Sequence, residues 1–175
     1  MTLHIGLLVF PRVQQLDMTG PYDVFAHLAD AQVHLIWKTR ESVKSSAGML
    51  LTPDTTFADC PALDVLCIPG GAGVGDLMED DETLAFIRRQ AAGARFVTSV
   101  CTGSLVLGAA GLLRGKRATT HWAFHELLGD VGAIPVKARV VRDDMLLTGG
   151  GITAGIDFAL TLAAELVGEQ EAQTI

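Results

Sequence analysis

The residue with the clearest chemical potential is Cys101, which follows the apolar segment 95–100 and precedes a run of small residues. A buried strand that ends in one reactive residue, directly before a helix rich in glycine and serine, is typical of a nucleophile elbow. The turn would point the side chain over the carboxyl end of the sheet, where open α/β sheets bind ligands. The helix start offers free N–H groups and a positive dipole end, which favour the nucleophilic thiolate. We therefore predict that Cys101 is a nucleophile.

The other two cysteines lack such a setting. Cys67 lies inside the apolar segment 64–68, where a small side chain fills space, and Cys60 precedes Pro61 in a loop. No CxxC or other metal-ligand spacing is present. His121 and His125 have the i, i+4 spacing of a helical metal pair, but no third ligand stands in a recognisable frame. We predict no metal site and no other cofactor.

A glycine-rich turn follows the apolar segment 64–68 and contains Gly70 and Gly71. Glycine lets backbone N–H groups approach a ligand closely. The N–H groups of Gly71 and Thr102 could therefore form an oxyanion hole or anchor a substrate. A plain sharp turn explains the two glycines equally well. The spacing is not GxGxxG, and no GK[ST] follows, so a phosphate-binding loop is disfavoured.

Three further segments are expected at the same edge of the sheet. Asp17 lies between the first strand and the first helix, where it could be a general acid/base or make local turn bonds. His121 could pair with the thiol, and Trp122 could line the pocket. Gly150 and Ile152 belong to a glycine-rich start of the last helix, which could cover the site.

Short apolar runs alternate with amphipathic stretches along the chain, which predicts a doubly wound, mostly parallel sheet flanked by helices, as in flavodoxin-like folds. The strands are predicted at 5–10, 33–37, 64–68, 95–100 and 117–120. The helices are predicted from Gly20 and Pro21 onward, with Thr19 as a cap, and at 81–92, 103–113, 122–128 and 153–167. Appended β-hairpins are predicted at 42–52 and 140–148. No linker or repeat interrupts the chain, so residues 1–175 are predicted to form one domain.

The composition excludes several classes of protein. Of 175 residues, 49% are hydrophobic, which is ample for a core without staples. The net charge of −7 comes without a basic patch, so a nucleic-acid partner is disfavoured. The apolar runs are broken by Gly, Asp or Glu, and the start of the chain lacks the features of a signal peptide. These features predict no membrane association and a cytoplasmic setting, and the 19% charged residues favour an oligomer.

Together these residues resemble the ThiJ/PfpI superfamily over essentially the whole chain. The shared marks are Gly70-Gly71 after a core strand, the Cys101 elbow, and the acid Asp17 after the first strand. Within the superfamily the chain is most similar to the isocyanide-hydrating members. The matching segments are 14–17, 33–38, 98–104, 118–122 and 149–157. The segments 98–104 and 118–122 also resemble the amidase-like domain of certain transcription regulators.

The resemblance implies hydration of a small-molecule isocyanide to an N-substituted formamide, without a cofactor. Cys101 would attack the terminal carbon and Asp17 would supply a proton to give a thioimidate, while Thr102 would contribute its N–H and hydroxyl. Gly70, Gly71, Trp122, Gly150 and Ile152 would bind the substrate. The resemblance also implies a homodimer, with a tail that in relatives continues past the final helix and packs near the interface, whereas this sequence ends at Ile175.

Two departures from the superfamily narrow the activity. Peptidase-like members place His directly after the cysteine, where this chain has Thr102, which disfavours proteolysis. Glyoxalase- and deglycase-like members use Glu as the acid, where this chain has Asp17. Two alternatives stay open: a glyoxalase/deglycase-like enzyme or thiol-based oxidative-stress sensor, and a ligand-binding regulatory domain without activity. Such regulators carry a helix-turn-helix module after this domain, and the acidic charge disfavours DNA.

Overall fold

The computed structural model describes residues 2–175 and has a seven-stranded main sheet. The strands, in spatial order, are β10 (Val140–Asp143), β11 (Leu146–Gly149), β7 (Phe96–Val100), β6 (Val65–Ile68), β1 (Leu3–Leu8), β2 (Ala31–Trp37) and β5 (Thr55–Thr56). Neighbouring strands pair in parallel, except that β10 runs antiparallel to β11. This arrangement confirms the predicted mostly parallel sheet. The edge strand β5 was not predicted, because its two threonines do not form an apolar run.

Helices cover both faces of this sheet. They are α1 (Gln15–Ala26), α2 (Val74–Met78), α3 (Asp81–Ala91), α4 (Gly103–Ala109), α5 (Leu127–Asp130), α6 (Ala154–Val167) and α7 (Glu169–Ala172). One core cluster joins α1 and α6 to the sheet, and it includes an edge-to-face pair of Phe25 and Phe158. The other cluster joins α3 and α4 to the opposite face. The flanking helices confirm the doubly wound arrangement.

Two small sheets are appended to this framework. The antiparallel pair β3 (Val43–Lys44) and β4 (Leu50–Leu51) confirms the hairpin predicted at 42–52. The parallel pair β8 (Arg117–Ala118) and β9 (Ile134–Pro135) encloses an excursion that contains a 3-10 helix, Trp122–Phe124, and α5. The single helix predicted at 122–128 is therefore divided in two. In residues 2–175 we find no helix with the length and hydropathy needed to cross a membrane.

The first helix is the largest correction to the predicted elements. It begins at Gln15 rather than near Gly20, so Asp17 lies in its first turn and Pro21 lies inside it. A proline inside a helix removes one backbone hydrogen bond. Tertiary packing outweighs that loss here, because Pro21 is buried and Gly20 lies beneath Ile156 of α6. Proline was therefore a misleading start signal, and the candidate acid stands on a helix instead of a loop.

The loops that follow β1, β6, β7 and β11 lie at one edge of the sheet, because these parallel strands end in register. Ile68 pairs with Ser99 and Val100 pairs with Gly149. The turn Pro69–Gly71, the elbow at Cys101 and the segment 150–152 are thereby brought together. This is the edge where open α/β sheets place their ligands.

Candidate active site

The predicted turn between β7 and α4 is present, and Cys101 stands at its apex with a φ of +57°. Non-glycine residues rarely adopt this left-handed conformation, and where they do the surroundings hold them in place. The Cys101 N–H donates to the Gly149 carbonyl at 2.9 Å. The Cys101 carbonyl accepts from the Thr120 hydroxyl at 2.9 Å and from the Ser104 hydroxyl at 3.3 Å. Three hydrogen bonds therefore fix the backbone that carries the thiol.

Two glycines allow neighbouring backbone to lie directly against this turn. A Cβ at Gly70 would lie 2.6 Å from Thr102 Oγ1 and 2.9 Å from Cys101 Cβ. Gly151 has a φ of +63°, and a Cβ there would overlap the Cβ of Cys101. Any larger residue at either position would displace the elbow, so both glycines are required by close approach.

Asp17 lies beneath the elbow with no exposed surface. Its Oδ2 accepts the Gly70 N–H at 3.1 Å, while Oδ1 is buried and has no conventional partner within residues 2–175. The Cys101 thiol lies close enough to this carboxyl group for each group to shift the pKa of the other. Burial raises the pKa of Asp17 from 3.8 to about 7, although the thiol and the Gly70 N–H both lower it. Asp17 therefore changes its charge near neutral pH, as a general acid/base must.

The thiol itself is held in its neutral form. Burial, and then the charge of Asp17, raise the pKa of Cys101 to about 12. The Thr102 N–H and hydroxyl lower this pKa, but their effect is smaller. The helix start thus favours the thiolate through the Thr102 N–H, as expected, but burial outweighs this effect because only 6% of Cys101 is exposed. A neutral thiol therefore stands beside a carboxyl group that titrates near neutral pH.

The glycine turn has a different task from the predicted one. The Gly71 N–H donates to Thr102 Oγ1 at 3.1 Å, and the Gly70 N–H donates to Asp17. Neither N–H is free to serve as an oxyanion donor in this geometry. Because its oxygen already accepts from Gly71, the Thr102 hydroxyl keeps its own hydrogen to donate toward the sulfur. The two glycines therefore orient the acid and the hydroxyl beside the thiol.

Cys101 lines a cavity of about 290 Å³, which we call the thiol cavity. Of the predicted site residues, Thr102, Gly71 and Ile152 also line it. His121, the candidate partner of the thiol, also lines it, and four residues that were not predicted there complete the wall: Gln14, Ser46, Ala72 and Phe124. Ser46 belongs to the β3–β4 hairpin, which is fixed here because the Ser46 N–H donates to the Val13 carbonyl at 2.8 Å. Only tertiary structure brings this hairpin to the elbow, so no local signal could have indicated Ser46.

Trp122 and Gly150 lie elsewhere. They line a second, adjacent cavity of about 550 Å³ together with His125, and the Trp122 side chain is 82% exposed. The predicted placement of Trp122 in the thiol pocket is therefore wrong, because the 3-10 helix turns His121 and Phe124 toward the thiol instead. Within residues 2–175, no three His, Cys, Asp or Glu side chains are grouped so as to hold a metal ion.

Comparison with known proteins places the chain among relatives with this architecture. The model of the DJ-1/PfpI family matches residues 4–165. The chain belongs to the DJ-1/PfpI family. The isonitrile hydratase of Pseudomonas putida is 73% identical over 175 residues, which are all of this chain and 77% of that protein.

Solved structures from the DJ-1/PfpI family superpose closely on this chain. A ThiJ/PfpI family protein from Pseudomonas syringae aligns with a TM-score of 0.97 and 44% identity, covering 99% of this chain and 73% of the other. The Drosophila melanogaster DJ-1beta structure aligns with a TM-score of 0.89 and 26% identity, covering 99% and 95%. The resemblance inferred from the elbow, the paired glycines and the acid is thus confirmed at the level of family and fold.

Proposed function

We propose that the protein hydrates an isocyanide to an N-substituted formamide and is therefore a carbon–nitrogen lyase. The observation that carries this proposal is the pairing of Cys101, in the thiol cavity, with the buried Asp17 carboxyl group. The 73% identity to the isonitrile hydratase of Pseudomonas putida supports the choice of substrate. An isocyanide needs one soft nucleophile and one mobile proton, and this pair supplies both.

The first half of the reaction forms a thioimidate. The Cys101 sulfur bonds to the terminal carbon of R–NC while its proton passes to the Asp17 carboxylate. Asp17 then delivers that proton to the same carbon, which gives R–N=CH–S–Cys101 and restores the carboxylate. A carboxyl group whose pKa is about 7 is present in both charge states at neutral pH, so it can take the thiol proton as the carbon–sulfur bond forms and then pass it to the carbon.

The second half hydrolyses the thioimidate. Asp17 removes a proton from water as the water oxygen adds to the carbon, and it passes that proton to the nitrogen to give R–NH–CH(OH)–S–Cys101 and restore the carboxylate. The carbon–sulfur bond then breaks, the hydroxyl proton returns to sulfur by way of Asp17, and R–NH–CHO leaves. Covalent catalysis thereby divides one difficult hydration into two easier steps.

Thr102 stabilises the sulfur whenever it carries negative charge. Its N–H and its hydroxyl both act on the Cys101 thiol, and both lower its pKa. Gly71 holds that hydroxyl through the 3.1 Å hydrogen bond described above. The apolar side chains of Phe124 and Ile152 on the cavity wall suit the organic group of an isocyanide.

The alternative of a thiol sensor has less support. Sensor cysteines combine a low pKa with solvent access. Cys101 has neither property, because burial raises its pKa to about 12 and only 6% of the residue is exposed. A thiol that ionises only as its proton moves to Asp17 suits a substrate reaction better than oxidation by solvent species.

The test is an assay of formamide formation from an aryl isocyanide and from an alkyl isocyanide. We expect turnover by the parent protein and none above background by Cys101→Ala, whereas the control Cys60→Ala should retain full activity. Consumption of methylglyoxal without isocyanide turnover would replace the proposal by the glyoxalase-like alternative. Binding of isocyanide without any product would favour the regulatory alternative. The homodimer, the cytoplasmic setting and the single domain stay predictions.

A further inference from the structure

The second cavity has the size of a ligand site. Its volume of about 550 Å³ falls within the range of small-molecule pockets. It is lined by Trp122, His125, Lys137 and Arg139, and by Gly150 and Gly151 at its inner end. We call it the cationic cavity because two permanent cations stand on its wall. The reaction proposed above makes no use of these side chains.

The charge of this cavity is opposite to that of the protein. The chain carries a net charge of −7, yet Lys137 is exposed and forms no ion pair within residues 2–175. Arg139 forms a direct, half-exposed ion pair with Asp157 and also donates to the Thr153 hydroxyl at 3.1 Å. One carboxylate thus faces two cations, so the wall keeps a net positive charge. The N-terminus of the 14-residue helix α6 meets the wall at Ala154 and adds a positive dipole end.

Trp122 adds a flat apolar surface beside these cations. Its side chain is 82% exposed, and its ring centroid lies 5.5 Å from that of His121. An indole held open to solvent beside two cations matches a ligand with an aromatic or apolar body and an anionic end.

The cationic cavity is adjacent to the thiol cavity. His121 and Ile152 line the thiol cavity, while the adjoining residues Trp122 and Gly151 line the cationic cavity. Gly151 also lies directly against Cys101. When the isocyanide carbon of a substrate contacts the sulfur in the thiol cavity, the rest of the substrate therefore lies near the cationic cavity.

We infer that the preferred substrate is an isocyanide that carries an anionic group such as a carboxylate, which binds Lys137 and Arg139 while its apolar body packs on Trp122. This inference rests on the proposed hydratase function. Each ion pair would be partly exposed, so the two together should favour an anionic substrate about tenfold over a neutral isostere. The preference should decline at high salt because exposed charges are screened.

The test compares kcat/KM for 4-isocyanobenzoate and for its neutral methyl ester. We expect the parent protein to prefer the carboxylate about tenfold, and Lys137→Gln to lose about fivefold on the carboxylate and little on the ester. The control Arg95→Gln removes the same charge from an exposed residue beside the opposite end of β7, and it should leave both values unchanged. Equal turnover of both substrates by the parent, or an equal loss on both in Lys137→Gln, would overturn the inference while leaving the hydratase proposal intact.

A binding measurement separates this inference from the proposed function. Calorimetry with 4-formamidobenzoate, the product of the anionic substrate, needs no catalysis. Binding that weakens about fivefold in Lys137→Gln, and not in Arg95→Gln, supports the anionic subsite even if neither isocyanide is hydrated, in which case the hydratase proposal alone fails. No binding by the parent protein, or binding indifferent to Lys137, overturns the subsite.

Discussion

Cys67 and Cys101 belong to the same core cluster and have similar pKa values, but they differ in exposure and in the groups around the thiol. Burial raises the pKa of each thiol to about 12, and the charge of Asp17 contributes to both shifts. Cys67 lies inside β6 with no exposed surface, whereas Cys101 lies one residue beyond β7 and lines a cavity. Of the two thiols, Cys101 has the more direct influence from Asp17, which acts on Cys67 through its charge alone. What distinguishes the proposed nucleophile from Cys67 is its place on a cavity wall beside a proton acceptor, and not its resting pKa.

Replacing each cysteine by alanine gives the largest expected contrast. Cys101→Ala should lower kcat by at least about a thousandfold, because no other group can form the covalent intermediate. Cys67→Ala should keep kcat within about twofold and cost about 1 kcal/mol in the free energy of unfolding, since a small buried side chain is shortened. Formamide assays and urea unfolding check both. If the two variants lost comparable activity, the different surroundings of the two thiols would not account for a catalytic role of Cys101 alone.

Removing the acid should have the next largest effect. Asp17→Asn keeps an acceptor for the Gly70 N–H but cannot take the thiol proton, so kcat/KM should fall about 10²- to 10⁴-fold. In the parent protein kcat/KM should rise with pH through about 7 as Asp17 ionises, and this rise should vanish in the variant. The control Asp23→Asn changes an exposed acid of the same helix. An unchanged pH profile in Asp17→Asn would exclude Asp17 as the base.

The same residue should couple stability to pH. The folded-state pKa of Asp17 lies above its unfolded value, so its contribution to stability is fully present below about pH 3.8 and is lost as the pH rises through about 7. The whole shift corresponds to about 4 kcal/mol. Asp17→Asn should therefore gain stability relative to the parent between pH 4 and pH 8, by up to about that amount. Urea unfolding of both proteins at pH 4 and pH 8 measures this gain. A difference in the free energy of unfolding between parent and variant that is the same at both pH values would contradict the assigned pKa.

Thr102 should give the smallest effect of the residues around the thiol. Thr102→Val removes the hydroxyl that accepts the Gly71 N–H and acts on the sulfur, so we expect kcat to fall about tenfold. Thr102→Ser retains the hydroxyl and should restore most of the rate. The exposed Thr161 of α6 provides a matched control as Thr161→Val. If Thr102→Ser, which retains the hydroxyl, were as slow as Thr102→Val, loss of the hydroxyl would not explain the slower rate.

Much of this arrangement could be predicted from the sequence because it depends on local patterns. The apolar runs gave the parallel strands, and the strand–Cys–small-residue pattern gave the elbow at Cys101. The position of Asp17 in a helix could not be predicted, because Pro21 is accommodated only through packing against α6. The partners of the Gly70 and Gly71 N–H groups also depend on tertiary contacts, and so does the placement of Trp122 in the cationic cavity instead of the thiol cavity. Residues close in sequence were thus assigned well, and residues brought together by folding were not.

The most direct test of the covalent account is intact-mass analysis of the protein quenched in acid during turnover of an isocyanide. The thioimidate contains every atom of the substrate, so the protein should gain the full mass of that isocyanide. Peptide mapping should place the added mass on Cys101, with none on Cys67 or Cys60. Turnover that proceeds at full rate without any adduct, or with the adduct on another residue, would contradict Cys101 as the nucleophile.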